Sequence, residues 1–235
     1  MSSITKTTRD MTEGTIWKHL ITFAFPLFIG NIFQQLYNTV DSVVVGNFVG
    51  ADALGAVTST IPVVITLIGL FIGLAMGASV VISQYFGAKD IKNLRKATHT
   101  AVVATVIMAL IISAIGYYAT PFLLRMMNTP PTVFKEAVVY LQIFSLGLGG
   151  TMLYNMGSGI LRAVGDSKRP LYFLILASIL NIFLDLLFVI TFESGVAGVA
   201  YATILAQLVS GLIIFWILFR SHEVHSLTWH EMKID

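Results

Sequence analysis

The 235-residue chain contains no cysteine, which excludes a disulfide framework, thiol catalysis and cysteine-ligated metal sites. Charge is scarce as well: 11% of residues are Asp, Glu, Lys or Arg, while 56% are hydrophobic. Soluble domains carry roughly 25% charged residues, so a water-soluble globule is excluded. So are a disordered chain, which needs charge and few apolar residues, and a coiled coil, which needs charged flanking positions. The pairs Gly46–Gly50 and Gly73–Gly77 are not followed by Gly-Lys-Ser/Thr, so neither is a phosphate loop. There is no nucleophile–base motif and no dinucleotide fingerprint, and an enzyme is not expected. A net charge of +2 gives no basis for nucleic-acid binding. What remains is a membrane protein.

A spanning helix needs roughly 20 mostly apolar residues, and the chain supplies six such stretches. They are placed near Trp17–Phe48, Leu54–Phe86, Ala97–Thr120, Thr132–Leu161, Pro170–Ile190 and Val196–Phe219. The first is too long for a signal-peptide core, contains Pro26 and Asp41, and lacks a small-residue cleavage site, so it is expected to be retained. The connections are short and leave no room for a soluble domain. Residues 1–16 then form an N-terminal segment, 17–220 a six-helix lobe, and 221–235 a tail. Pro130–Pro131 is expected to end the third helix and open the fourth. The stretch Gly165–Pro170 is expected to turn into the fifth. Asp10 and Glu13 resemble a capping pair for an interfacial N-terminal turn.

The cations set the orientation. Lys6, Arg9, Lys18, Lys89, Lys92, Arg95, Lys96, Arg162, Lys168, Arg169, Arg220 and Lys233 fall at one end of the bundle, and only Arg125 and Lys135 at the other. Solvation of loops explains cations but not that asymmetry, which is the positive-inside pattern. Both termini are therefore expected in the cytoplasm.

Only two acids lie deep within the spans, Asp41 in the first and Asp185 in the fifth; Glu136 falls near the start of the fourth. Both helices run from inside to outside, and both acids sit roughly 10 Å below the outer end at 1.5 Å per residue. A charge at the bilayer centre costs roughly 2.5–3.5 kcal/mol on insertion scales, so such groups face a bundle interior or a wet cavity. Gln34, Asn38 and Asp41 share one helical face, with Tyr37 one turn before Asp41; Asn181 and Asp185 are likewise one turn apart. Tyr140, Asn155 and Ser158 on the fourth span and Thr203 and Gln207 on the sixth complete an expected polar chamber. An acid moved toward neutral titration can exchange a proton for Na⁺ or a cationic substrate. The plainer alternative is that both acids only bond neighbouring polar groups.

Other features have mainly structural readings. Gly69, Gly73 and Gly77, and the cluster Gly147, Gly149 and Gly150, are expected to let helices pack closely. Pro26 and Pro62 are candidate kinks. The tail histidines His222, His225 and His230 are expected to be solvated rather than metal ligands.

Several ordered motifs carry a family resemblance. Asn38-Thr-Val-Asp41-Ser-Val-Val-Val-Gly46, followed by Gly50-Ala-Asp-Ala-Leu-Gly55, resembles the first-helix motif of the multidrug and toxic compound extrusion (MATE) transporters. Ser83-Gln84-Tyr-Phe-Gly87-Ala88-Lys-Asp90, Leu161-Arg162-Ala-Val-Gly165-Asp166 and Asn181-Ile-Phe-Leu-Asp185 resemble later motifs of the same family. The resemblance runs from about Asp10 to Arg220. It implies an all-α fold in which six helices form one lobe of a twelve-helix transporter. It also implies a plasma-membrane antiporter that exports amphipathic, often cationic compounds in exchange for H⁺ or Na⁺, with no cofactor beyond the coupling ion.

By the same resemblance Asp41, Asp185, Asn181, Tyr37, Tyr140 and Thr203 couple to the ion, with Na⁺ at Asp41 and Asp185 as one form. Gln34, Asn38, Asn155 and Ser158 are the expected substrate contacts. The partner is a C-terminal six-helix lobe, in the same chain or as a second copy; the tail 221–235 then begins an inter-lobe linker, and a fragment is favoured over a half-transporter. Two alternatives stand beside this: a flippase for lipid-linked oligosaccharides, which calls for basic residues in the chamber, and a membrane assembly subunit with no transport role.

Overall fold

The computed structural model describes residues 15–220 and Leu227, and every regular element among them is helical. Six helices follow in order: α1 (Ile16–Val44), α2 (Ala51–Gly87), α3 (Ile91–Met126), α4 (Pro131–Ala163), α5 (Lys168–Leu186) and α6 (Gly195–Arg220). Each is long and apolar enough to span a bilayer. The tail histidines and the Asp10–Glu13 pair lie outside the described residues. We call the end of the bundle bearing the start of α1 proximal and the opposite end distal.

The expected spans are all present, with longer ends. α3 starts at Ile91 rather than Ala97 and continues past Thr120 to Met126. Cations such as Lys92 and Arg95 end a charge-free run without ending a helix. Pro121, the residue just after the expected end of the span, lies inside α3. A proline has no N–H for the carbonyl four residues back, here that of Tyr117. Gln142 of α4 donates its side-chain amide to that carbonyl at 3.4 Å, so the break is repaired by a neighbour, as lipid-embedded backbone requires. Pro26 and Pro62 also lie within continuous helices.

Three turns close by the same device. At the ends of α2, α3 and α4 the residues Lys89, Asn128 and Gly165 adopt left-handed φ values of 56°, 54° and 85°. Each donates its N–H back into the last turn, and the following residue does so one position deeper, as in Asp90 N–H to Tyr85 O at 3.0 Å. Pro130–Pro131 then opens α4, as expected. α5 begins two residues before Pro170, because Asp166 supplies the cap. Its Oδ1 accepts the N–H groups of Lys168 and Arg169, both at 3.1 Å.

α4 is the hub, packed against α2, α3 and α6, while α5 joins α6 to α1. Packing in lipid relies on close contact through small residues, and the α4–α6 seam shows it. A Cβ on Gly150 would stand 2.8 Å from Leu208 Cα, and one on Gly211 would stand 3.0 Å from the Gly150 carbonyl oxygen. Gly147 and Gly157 are equally confined, by Ile204 and Ile214. The expectation for Gly69, Gly73 and Gly77 is not met within the lobe: nothing lies within 4 Å of their Cβ positions, nor of Gly149. Those glycines lie on an open flank.

Candidate functional site

Distal to the middle of the lobe, α1 and α5 each change from α to π winding. The first π turn is Val45–Val49 and the second is Leu187–Thr191. Gly50 N–H donates to Val45 O at 3.0 Å and Phe192 N–H to Leu187 O at 3.2 Å, both five residues back. Such turns recur at functional sites. Here one begins just beyond Asp41 and the other just beyond Asp185. No sequence signal marks a π turn, and these two were not anticipated.

The two carboxyl groups are near enough to influence one another. Asp185 is fully buried, at 0% exposure, whereas Asp41 is half-buried. Around them stand Tyr37 of α1, Tyr140 of α4, Asn181 of α5, and Thr203 and Gln207 of α6, all buried. Tyr140 stacks on Phe144, with centroids 6.2 Å apart and planes inclined by 14°. Asn181 donates to the Thr203 hydroxyl at 3.4 Å, and that hydroxyl donates to its own helix at Val199 O, 3.1 Å away. Gln34 and Gln207 both contact the Tyr37 hydroxyl.

Several acceptors in the set are left unmet. Asp41 Oδ1, both Asp185 carboxylate oxygens, Asn181 Oδ1 and Gln207 Oε1 are buried and have no hydrogen-bond partner among the described residues. Buried polar atoms are normally satisfied. Orphaned oxygens converging from three helices make a place for something positive: a shared proton, or a hard cation, which takes oxygen ligands.

Of the expected ion-coupling residues, the structure brings together Asp41, Asp185, Asn181, Tyr37, Tyr140 and Thr203. Gln207, noted in sequence as polar but not assigned to the site, belongs to the same cluster. The expected substrate contacts are dispersed. Gln34 borders the cluster. Asn38 is exposed and donates to Gln35 Oε1 at 3.4 Å. It lies only about 60° round the helix from Asp41, at 100° per residue, but on the exposed side of α1. Asn155 and Ser158 are about 22 Å and more from Tyr140 along α4 at 1.5 Å per residue. There Asn155 donates to Thr151 O at 2.8 Å, and Ser158 is buried.

The fold defines a multi-pass membrane protein, an all-α lobe of six helices long and apolar enough to span a bilayer. The chain belongs to the MatE family, whose profile matches residues 26–187. It is 37% identical over 198 residues to the probable multidrug resistance protein YpnP of Bacillus subtilis, covering 84% of this chain and 44% of YpnP. A MOP superfamily transporter from Pyrococcus furiosus, whose binding pocket is described as reversed in polarity, superimposes with a TM-score of 0.91 at 30% identity. The match covers 99% of this chain and 51% of that one. An outward-facing multidrug resistance MATE transporter matches to the same degree, with a TM-score of 0.91, 30% identity and the same coverage. The chain thus spans about half the length of the relatives it matches.

Proposed function

We propose that this lobe is the ion-coupling half of a cation-driven exporter of amphipathic, often cationic compounds. One observation carries the reading: the converging buried oxygens around Asp41 and Asp185 that have no hydrogen-bond partner among the described residues. Two unit negative charges about 4 Å apart repel by roughly 4 kcal/mol at an effective dielectric near 20. A proton or Na⁺ placed between the carboxyls removes that repulsion and draws α1 against α5. Its release drives them apart. A charge crossing 100 mV gains roughly 2.3 kcal/mol, comparable to the repulsion, so an ion gradient can work this switch. The relatives named for multidrug resistance support a small-molecule cargo.

In this reading the proximal end, which gathers most of the cations, faces the cytoplasm of a prokaryotic cell, and the acids lie nearer the outer surface. Gln34 and Asn38 meet substrate at the open flank of α1, while Asn155 and Ser158 lie on its path from the cytoplasmic end. A second six-helix lobe closes the chamber, reached through a linker that begins at 221–235. The flippase alternative calls for basic residues, and none of the residues in contact around the acid pair is Lys or Arg.

The test is efflux from proteoliposomes containing the full-length transporter. H⁺ and Na⁺ gradients are imposed separately, which also identifies the ion. Asp185→Asn is expected to abolish gradient-driven export while substrate binding persists. Gradient-driven export at the parent rate by Asp185→Asn overturns the proposal.

A further inference from the structure

The two π turns do more than follow the acids. They flank a cleft of about 350 Å³ at the distal end, lined by Phe48 and Val49 from the first and by Val189, Ile190, Glu193 and Gly195 from the second and its loop. Its lining side chains are apolar with one exception, although backbone polar atoms also face the cleft. Glu193 is exposed, held at a left-handed φ of 50°, and has no partner among the described residues.

Beneath the cleft is a single apolar layer. Val44, Val45, Val189 and Val196 are buried together with Tyr140 and Phe144. Below that layer lie the acids: Val189 stands one turn beyond Asp185, about 6 Å along the axis at 1.5 Å per residue. From the surface inward the order is therefore a carboxylate on a cleft, a valine barrier, and a fully buried carboxylate with both oxygens unpartnered. Other titratable groups toward this end of the surrounding elements are Asp52 at the start of α2, Tyr37 and Asp41 on α1, Lys135, Glu136 and Tyr140 on α4, Tyr201 on α6 and Asp185 itself; none of them lines the cleft.

We propose that this cleft is the port by which a small monovalent cation, H⁺ or Na⁺, passes between the distal surface and the Asp41–Asp185 pair. Glu193 collects the cation at the mouth, and the Val45–Val189 layer is the barrier it crosses. This rests on the coupling role given to the acids above and adds the route. A carboxylate in a low-dielectric cleft concentrates cations locally. The wider π winding on both sides of the barrier provides the slack for it to open.

The experiment uses the full-length transporter in proteoliposomes, with export measured against cation concentration at the distal face, in a Na⁺ series at fixed pH and a pH series at fixed Na⁺. Glu193→Gln is expected to raise the half-saturating concentration of the coupling ion about fivefold, with Glu193→Asp restoring most of it. The series that responds identifies the cation. Glu136→Gln removes an acid from the same end but outside the cleft, and is expected to leave the curve in place. An unchanged Glu193→Gln curve, or an equal shift from Glu136→Gln, overturns the port.

Ile190→Cys provides a second readout that does not depend on transport. This lobe has no native cysteine; in a full-length background with any cysteine elsewhere replaced, the new thiol should react with a water-soluble methanethiosulfonate added at the distal face. No reaction means a dry cleft and also overturns the proposal. If Asp185→Asn abolishes coupling while Glu193→Gln behaves as the parent, the port fails and the coupling role stands.

Discussion

Gly149 and Gly150 are neighbours on α4 with opposite surroundings, and the pair makes a controlled experiment. Ala at either position gains helix propensity of roughly 1 kcal/mol over Gly. At Gly149 the new methyl meets nothing within 4 Å. At Gly150 it stands 2.8 Å from both the N and Cα of Leu208. Those are backbone atoms, which cannot rotate away, so α4 and α6 must separate by several tenths of an ångström. Overpacking of this kind costs about 1–3 kcal/mol. The propensity gain is common to both variants, so their difference isolates the steric cost.

Gly150→Ala is therefore expected to melt below Gly149→Ala by roughly 2–12 °C, at about 2–4 °C per kcal/mol for a chain of this size. The measurement is thermal unfolding of the purified protein in detergent, followed by intrinsic fluorescence. Because Leu208 adjoins Gln207, the same variant should also loosen the contact between Gln207 and Tyr37. Equal melting of the two variants would refute the reasoning, since it would show that the α4–α6 distance is not fixed by these glycines.

Three further predictions follow from capping and proline repair. Gln142→Leu strands the Tyr117 carbonyl opposite Pro121 and should cost about 1–3 kcal/mol, seen as a lower melting temperature, whereas Gln142→Asn→Leu comparisons separate reach from polarity. Asp166→Ala removes the acceptor for two N–H groups of α5 and the 3.2 Å ion pair with Arg169; a loss of about 1–3 kcal/mol is expected, measured by the same unfolding assay. Asp90 caps α3, accepting the Asn93 backbone N–H at 3.1 Å and its side-chain amide at 2.7 Å. The backbone bond, with the Asn93 side chain next, holds its carboxyl below the ordinary aspartate value. Its stabilisation is therefore complete above about pH 4 and is lost as pH falls through the lower folded value. Hydrogen exchange in the first turn of α3 should rise over that acid range, and Asp90→Asn should flatten the response.

Much of the fold was legible because lipid imposes a coarse rule. Long, mostly apolar runs marked all six helices, and the prolines at 130 and 131 marked a true boundary. What escaped depended on partners remote in sequence. Pro121 falls just after the expected end of the span, and that Gln142 serves the carbonyl it strands is not visible in sequence. Gly69, Gly73 and Gly77 have the spacing of a packing seam, yet the seam runs through Gly147, Gly150 and Gly211. Spacing reveals a face without revealing what lies opposite.

The candidate site was legible to a similar degree. Asp41 and Asp185 stand out because charge is costly in lipid, and their depths matched. That they lie near one another was not readable, because it depends on how α1 settles against α5. Asn38 shares a nominal face with Asp41, but a face spans a wide arc, and Asp41 turns inward where Asn38 does not. The π turns have no residue signature at all.

The glycine-lined seam has a mechanical consequence. Where backbones meet directly, as at Gly150 and Gly211, two helices have little room to slide or splay by small steps. α4 and α6 therefore move as one block, and that block carries Tyr140, Thr203 and Gln207. The lobe works like a vice with a stationary jaw. Whatever enters or leaves between the carboxylates shifts the other jaw, α1 and α5, against a wall that keeps its shape.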